Sequence, residues 1–309
     1  LTENAVRFVG EEDGVFNDSD YILFYAEGPK GNVEDSNINT HLNPYTDKSY
    51  YYINIGSGYG KRIQPMVQPN GNPDVTIDTF QDYQFHEVDE YNLAKVGRRW
   101  FGDRFNIENE KEFEFNFPNL VTSEPVRLKT YFGATSEVQT TMNVSLNGAA
   151  IVSRTLSPLG ENVYATENFF SGNVALSSPE ATVKLTYNNN GNPASAGYVD
   201  YISVEATRQL RYEGKQFFFK NNMAATTPGI LQYNVANASS VSEVWDVSNK
   251  YDVTSVVNSD RNASFSFTAE GGVAKSYLAV VPSNYFQPLR DNNVRVANQS
   301  TKGTIVKDA

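Results

Sequence analysis

Apolar and polar residues alternate with a period of two along most of this chain, most clearly between residues 106 and 208. Phe113, Phe115 and Phe117 are interleaved with Glu112, Glu114 and Asn116, which gives one extended segment an apolar face and a wet face. Val126, Leu128 and Phe132 continue the pattern. Met142, Val144 and Leu146 lead into Asn147-Gly148, with Ile151 on the returning side; Asn-Gly is a strong short hairpin signal because both residues tolerate positive φ. Val183, Leu185 and Tyr187 make another strand before the Asn-rich loop 188–193, and Ile202 with Val204 share one face of a last strand. Many short strands separated by turn signals predict an antiparallel β-sandwich of jelly-roll kind.

The flanking regions read the same way, so the fold class expected is mainly all-β, with sandwich domains in tandem and little helix. Before residue 106, Tyr21-Ile22-Leu23-Phe24-Tyr25-Ala26 is an apolar run of strand length closed by Gly28-Pro29, and Tyr50-Tyr51-Tyr52-Ile53-Asn54-Ile55 is a second, closed by Gly56-Ser57-Gly58-Tyr59-Gly60. The stretch 82–93, charged and aromatic with mixed spacing, is the best place for a short helix. After residue 208, Phe217-Phe218-Phe219, residues 230–235, residues 244–247, Phe265 with Phe267, and residues 277–281 read as strands, with Gly271-Gly272 as a turn. Four sections follow: a β-rich unit over 1–105, a jelly-roll-like sandwich over 106–208, a smaller sandwich over 209–290, and a polar linker over 291–309 leading towards something absent.

Composition narrows the function classes. The chain has 309 residues, 39% of them apolar, so it is globular material. A formal net charge of −11 and a pI near 4.8 argue against nucleic acid as a partner. Cysteine is absent, which removes thiolate nucleophiles, disulfides and Cys-ligated zinc from this chain. No apolar run approaches the ~20 residues that span a bilayer, so no membrane-spanning segment is expected.

No residue constellation makes a self-sufficient catalyst. His41 and His86 are the two histidines, neither accompanied by a G-x-S-x-G elbow, and each reads as a surface or loop residue. His86-Glu87-Val88-Asp89-Glu90 starts like a helical zinc motif but lacks the second histidine four residues on. Gly56-Ser57-Gly58-Tyr59-Gly60-Lys61 fails the phosphate-loop spacing at Ile55 and Arg62 and the dinucleotide spacing at Lys61; it reads as a flexible hairpin. Acids such as Asp82, Glu87, Asp89 and Glu90 are too many to single out a glycosidase pair. The Asn-x-Ser/Thr triplets at Asn17, Asn143, Asn237, Asn262 and Asn298 would matter only in a eukaryotic secretory host.

Two places stand out. Asp200 shares strand parity with Ile202 and Val204, which starts it on the buried face, where a carboxylate must be paired, hydrogen-bonded or metal-bound. It either accepts bonds from backbone amides at the strand's entrance or ligates Ca2+ together with the preceding Asn-rich loop; no other cofactor is expected. Gly97-Arg98-Arg99-Trp100-Phe101-Gly102-Asp103-Arg104-Phe105 packs cations beside aromatics, and an Arg-on-Trp contact there would pin two domains together or offer an aromatic platform to a ligand.

These residues also carry a resemblance. Asp20-Tyr21-Ile22-Leu23-Phe24-Tyr25 with Gly28-Pro29, and Asn43-Pro44-Tyr45-Thr46-Asp47 before Tyr50-Tyr51-Tyr52, are similar to the opening of the region that precedes the catalytic domain in PorU-type sortases of the type IX secretion system. Those sortases are built on a gingipain-like (C25) cysteine peptidase. Asn92-Leu93 followed by Gly97, Arg98, Trp100, Gly102 and Asp103 resembles the family's Gly-Arg-x-Trp-Tyr-Gly-Glu-x-Phe block, with Phe101 and Asp103 in place of its Tyr and Glu. Gly197-Tyr198-Val199-Asp200-Tyr201-Ile202 with Leu210 resembles the end of the family's middle domain, and Trp245-Asp246-Val247 and Val296-Ala297-Asn298-Gln299 follow in order. The resemblance spans nearly the whole chain and treats these positions as structural.

It implies an extracytoplasmic, bacterial cell-surface location and a non-catalytic scaffold. Its partners would be its own C-terminal catalytic domain, and also secreted cargo or secretion-system proteins. In the family a caspase-like domain uses a His and a Cys to cleave the sorting signal from exported cargo and pass the cargo to lipopolysaccharide; this cysteine-free chain carries none of that catalysis. The alternative reading is a carbohydrate-binding or adhesion module, with the middle sandwich gripping glycans through Tyr or Trp. A β-sandwich glycosidase is a weaker rival.

Overall fold

The computed structural model describes residues 2–30, 40–43, 45–95 and 99–290. Among them the regular elements are β-strands and four single-turn 3-10 segments, so the all-β architecture expected from the alternation is observed. The linker expected over 291–309 lies outside the described residues. No helix among those described is long and apolar enough to cross a membrane.

In chain order, β1 (Val6–Val9) and β2 (Tyr21–Phe24) form an antiparallel pair of their own. Next come β3 (Gln64–Pro65), β4 (Val75–Ile77), β5 (Thr79–Glu87) and β6 (Gly102–Phe105). The middle of the chain supplies β7 (Glu110–Asn116), β8 (Val126–Thr135), β9 (Thr140–Leu146), β10 (Ala149–Leu156), β11 (Thr166–Val174), β12 (Glu180–Asn188) and β13 (Ala196–Gln209). The last set is β14 (Phe217–Lys220), β15 (Ile230–Ala236), β16 (Glu243–Asp246), β17 (Thr254–Val257), β18 (Ser264–Glu270) and β19 (Ser276–Val280).

The middle sandwich stacks the sheet β10-β9-β12-β7 on the sheet β11-β8-β13-β5, with β6 also paired to β13. Leu128, Phe132, Met142, Val144, Leu185 and Ile202 are buried between the two sheets, as their alternation requires. Each such side chain contributes roughly 1.5–3 kcal/mol when removed from water. The β9–β10 hairpin turns at Asn147 and Gly148, whose φ values of 48° and 80° are the positive pair expected of Asn-Gly.

The second sandwich stacks β14-β19-β16-β17-β3 on β18-β15-β4. Its core is aromatic: Tyr233 stacks on Phe267 at 5.1 Å, and Tyr277 meets both edge-on at 5.0–5.1 Å.

The strands drawn from the first 105 residues are shared out. β3 pairs in parallel with β17 and β4 with β15, whereas β5 and β6 pair with β13, so hydrogen bonding crosses the sequence boundaries at 105 and 208. The β1–β2 pair covers the outer face of the second sandwich, where Leu23 and Tyr25 pack with Trp245, Leu278 and Val280.

Three local expectations are corrected. The helix expected over 82–93 is replaced by β5: its nine residues pair with β13 from Thr79↔Gln209 to Glu87↔Tyr201, and the sheet overrides a mixed local pattern. Residues 50–55 form no strand; Tyr50, Tyr52, Ile53 and Ile55 are exposed, and among the described residues no neighbouring strand pairs with them. For the same reason the glycine-rich 56–60 stretch closes no hairpin.

Candidate functional site

The residues of interest converge on the outer face of β13. Along most of this strand the even-numbered Ile202, Val204 and Ala206 face the sandwich core, so the odd-numbered residues face outward. A β-bulge breaks the alternation. Val199 pairs with Phe132 and Tyr201 with Tyr131, which leaves Asp200 as the extra residue between them. Asp200 therefore joins Tyr201 among the outer-face groups, and the parity argument that put it beside Ile202 fails at the bulge.

The outer face is not open to solvent here. Asp200 is 2% exposed and its Oδ2 has no hydrogen-bond partner. Among the described residues no backbone amide reaches that oxygen. Arg99 Nη1 stands 3.7 Å from that oxygen. Burial pushes the Asp200 carboxyl up to about 8, with Arg99 opposing the shift and Glu87, Asp89 and Glu167 adding to it. The carboxyl is thus held neutral around neutral pH.

Arg99 is held by other groups. Its guanidinium lies 4.1 Å over the Tyr131 ring and donates to Glu167 Oε2 at 3.0 Å, and the Tyr131 hydroxyl donates to the same oxygen at 2.7 Å. Arg99 therefore makes its cation–π contact with Tyr131, while Trp100 is half-buried beside it in sequence and Arg98 lies outside the described residues. Tyr131 also stacks between Phe169 at 6.0 Å and Tyr201 at 6.1 Å.

On the β5 side the cover is His41, 2% exposed, where a surface role was expected. Its backbone N–H and Nδ1 both meet Glu87 Oε2, at 2.7 and 2.5 Å, and its Nε2 lies 2.7 Å from the Tyr83 hydroxyl. The imidazole stacks on Phe85 at 4.1 Å. Burial pushes the Tyr83 hydroxyl up to about 12. These groups bind the 40–43 segment to the sheet.

The Gly-Arg-Arg-Trp block continues into β6. Gly97 and Arg98 lie outside the described residues. Phe101 is buried against Ala196 and Tyr198, and its backbone pairs with Tyr91. Gly102 sits where a Cβ would come 2.3 Å from the Val88 carbonyl oxygen, so the close approach of two backbones requires glycine. Asp103 meets His86 Nε2 at 2.5 Å and Lys111 Nζ at 3.6 Å; the His86 bond, ahead of the Lys111 charge, holds its carboxyl below the ordinary range against its burial. Asn92 is half-buried, with a side-chain oxygen that lacks a partner.

Trp245 and Asp246 stand apart, on β16. The Trp245 indole N–H donates to Glu243 Oε2 at 3.0 Å under the β1–β2 cover, where Arg7 bridges Glu243 and Ser255. Asp246 pairs with Lys275 at 3.0 Å. The Asn-rich loop is likewise remote in its bonding: Asn188, Asn189 and Asn192 each accept from backbone N–H groups within the loop itself. Among the described residues no group of three His, Cys, Asp or Glu is placed to hold a metal ion.

Sequence reasoning thus singled out Asp200, Tyr201 and the block containing Arg99, and the fold brings them together. It missed Glu167 and Tyr131, which lie on strands whose outer faces carry no distinguishing local pattern, and it named Glu87 only as one acid among several.

Comparison with solved structures bears on the whole arrangement. Dimeric latent PorU from Porphyromonas gingivalis superposes with a TM-score of 0.61 over 72% of this chain, at 17% identity. The fold is PorU-like. This chain covers 22% of the PorU chain, so the likeness concerns a part of that protein. A carbohydrate-binding module, CBM36 in complex with calcium and xylotriose, aligns over 40% of this chain and 98% of its own at 12% identity and a TM-score of 0.27. TmCBM61 in complex with β-1,4-galactotriose aligns over 40% of this chain and 86% of its own at 12% identity and 0.26. No family model and no curated protein matches the chain.

Proposed function

We propose that this chain is the non-catalytic, N-terminal scaffold of an exported C25-type cysteine peptidase resembling the type IX secretion sortase. Its work is to position the peptidase domain and to dock cargo or secretion partners at the cell surface. The observation that carries the reading is the PorU-like fold over 72% of the chain, in a sequence without a cysteine to act as nucleophile. The cluster around Asp200 suits a scaffold: it fastens the 40–43 segment and Arg99 to one sheet.

The test is to read the parent gene beyond Ala309 and to assay the pieces. The reading expects a caspase-like segment with a His followed by a Cys, and peptide cleavage only when that segment is present. A continuation into further sandwiches, or cleavage of model peptides by the present chain alone, overturns it.

A second reading has one observation in its favour. Phe169 is 56% exposed and stacks parallel to Tyr131 on the outer face of the middle sandwich, the kind of surface on which a sugar ring can lie. Retardation of the chain in polysaccharide-containing native gels, abolished by Phe169→Ala, would establish that role instead.

A further inference from the structure

The two sheets of the middle sandwich meet along two seams, closed differently. At one seam Asn168 Nδ2 donates to the Thr155 carbonyl at 2.7 Å and Thr166 Oγ1 to the Ser157 carbonyl at 2.9 Å, tying β11 to β10. At the other, β5 and β7 are the end strands of their sheets, and a groove of about 860 Å³ opens between them.

The ladder between β7 and β12 shows which backbone groups face that groove. The Asn109 carbonyl accepts from the Tyr187 N–H, and the Phe117 N–H donates to the Pro179 carbonyl. With the register Glu110↔Thr186 to Asn116↔Glu180, odd-numbered residues of β7 bond to β12 and even-numbered residues point their N–H and C=O outward. Asn116 confirms it. Its N–H donates to Gln84 Oε1 at 3.4 Å and its carbonyl accepts from Gln84 Nε2 at 2.7 Å, so one side-chain amide makes the two bonds that a neighbouring strand would make. Among the described residues, nothing does the same for the backbone of Glu110, Glu112 and Glu114.

We propose that this edge docks an extended, basic peptide segment of another protein, which adds to β7 as a strand and continues the bonding that Gln84 begins. The charges select the partner. Glu110, Glu112 and Glu114 are exposed at alternate positions on one side of β7, and Glu108 and Asp103 also line the groove. Lys184, opposite Glu112 on β12, pairs with Glu110 at 2.6 Å while also feeling the Glu112 charge, and Lys111 faces Asp103; among the described residues no ion pair takes up Glu112 or Glu114, which can face Lys or Arg at every second position of the incoming strand. The intervening side chains would lie over the His86 and Phe113 rings, whose centroids are 4.7 Å apart. Pairing of two copies through their β7 edges is disfavoured, because it sets glutamate against glutamate. The inference does not rest on the peptidase reading.

The test titrates the intact chain into a fluorescein-labelled nine-residue peptide alternating Lys and Val, read by anisotropy. Two further peptides carry N-methyl groups on alternate amides, one in each register. Saturable binding is expected, with one methylated register inactive and the other active. The Glu112→Lys/Glu114→Lys variant, checked for unchanged melting, should bind about tenfold more weakly. Hydrogen exchange at the Glu110, Glu112 and Glu114 amides should slow on binding. Absence of binding would mean that the glutamates only shield an edge strand. Equal binding of both methylated peptides would mean charge attraction without strand addition. Either result overturns the proposal.

Discussion

Arg99 and Asp200 face each other at 3.7 Å across the outer face of β13, yet the guanidinium donates to Glu167 and the carboxyl oxygen that faces it, Oδ2, has no hydrogen bond. The pair is an incomplete ion pair. Asp200 is squeezed into neutrality by burial, and the cation beside it is balanced by another acid.

That arrangement has a pH signature. The folded-state value of Asp200, about 8, lies above the ordinary carboxylate value near 3.9 that it regains on unfolding. The folded chain therefore holds a proton that the unfolded chain releases, and stability falls as pH rises from about 4 to about 8, then levels. Asp200→Asn keeps the neutral shape and removes this slope. The variant should gain on the parent through that window, by several kcal/mol at most, when urea midpoints are compared at pH 4, 6 and 9.

Arg99→Lys keeps the charge and loses the planar stack on Tyr131. A loss of about 1–2 kcal/mol is expected, because an ammonium cannot both lie flat on the ring and bond Glu167. Urea unfolding measures it, and a shifted Trp emission on substitution would report the neighbouring Trp100.

His41→Ala should cost about 2–4 kcal/mol. It strips a buried ring from Phe85 and leaves Glu87 and Tyr83 without their partner. His41→Asn, which can still donate to Glu87, should recover part of the loss in the same denaturation experiment.

Gly102 and Gly148 make a matched comparison. An added methyl at Gly102 meets the Val88 carbonyl at 2.3 Å, so Gly102→Ala should cost about 3 kcal/mol. At Gly148 nothing lies within 4 Å, and the φ of 80° alone makes Gly148→Ala cost about 1 kcal/mol. Melting temperatures of the two variants should separate accordingly.

The strands that carry a buried alternating face were legible in the sequence. Phe113, Phe115, Met142, Val144, Val183 and Leu185 are all in the middle core, and Tyr233, Phe267 and Tyr277 all in the second. Strands lacking that face were not. β11 carries half-buried and exposed residues in alternation, and β3 has two exposed residues held only by their parallel pairing to β17. The run Tyr50-Tyr51-Tyr52-Ile53 shows the converse error, since apolar content alone does not supply a neighbouring strand.

What the amino-acid order determined by itself was the class of fold, the Asn147-Gly148 turn and the absence of a thiol chemistry, because periodicity, positive φ and residue type are local properties. What only the tertiary structure decided was the distribution of the first 105 residues over two sandwiches, the burial of His41 and the side of the sheet to which Asp200 belongs. Strand partners lie more than a hundred residues apart, as in β5 with β13, and no local pattern encodes them. A single bulge residue reverses the face of everything before it, and whether the strand bulges is settled by the register against β8.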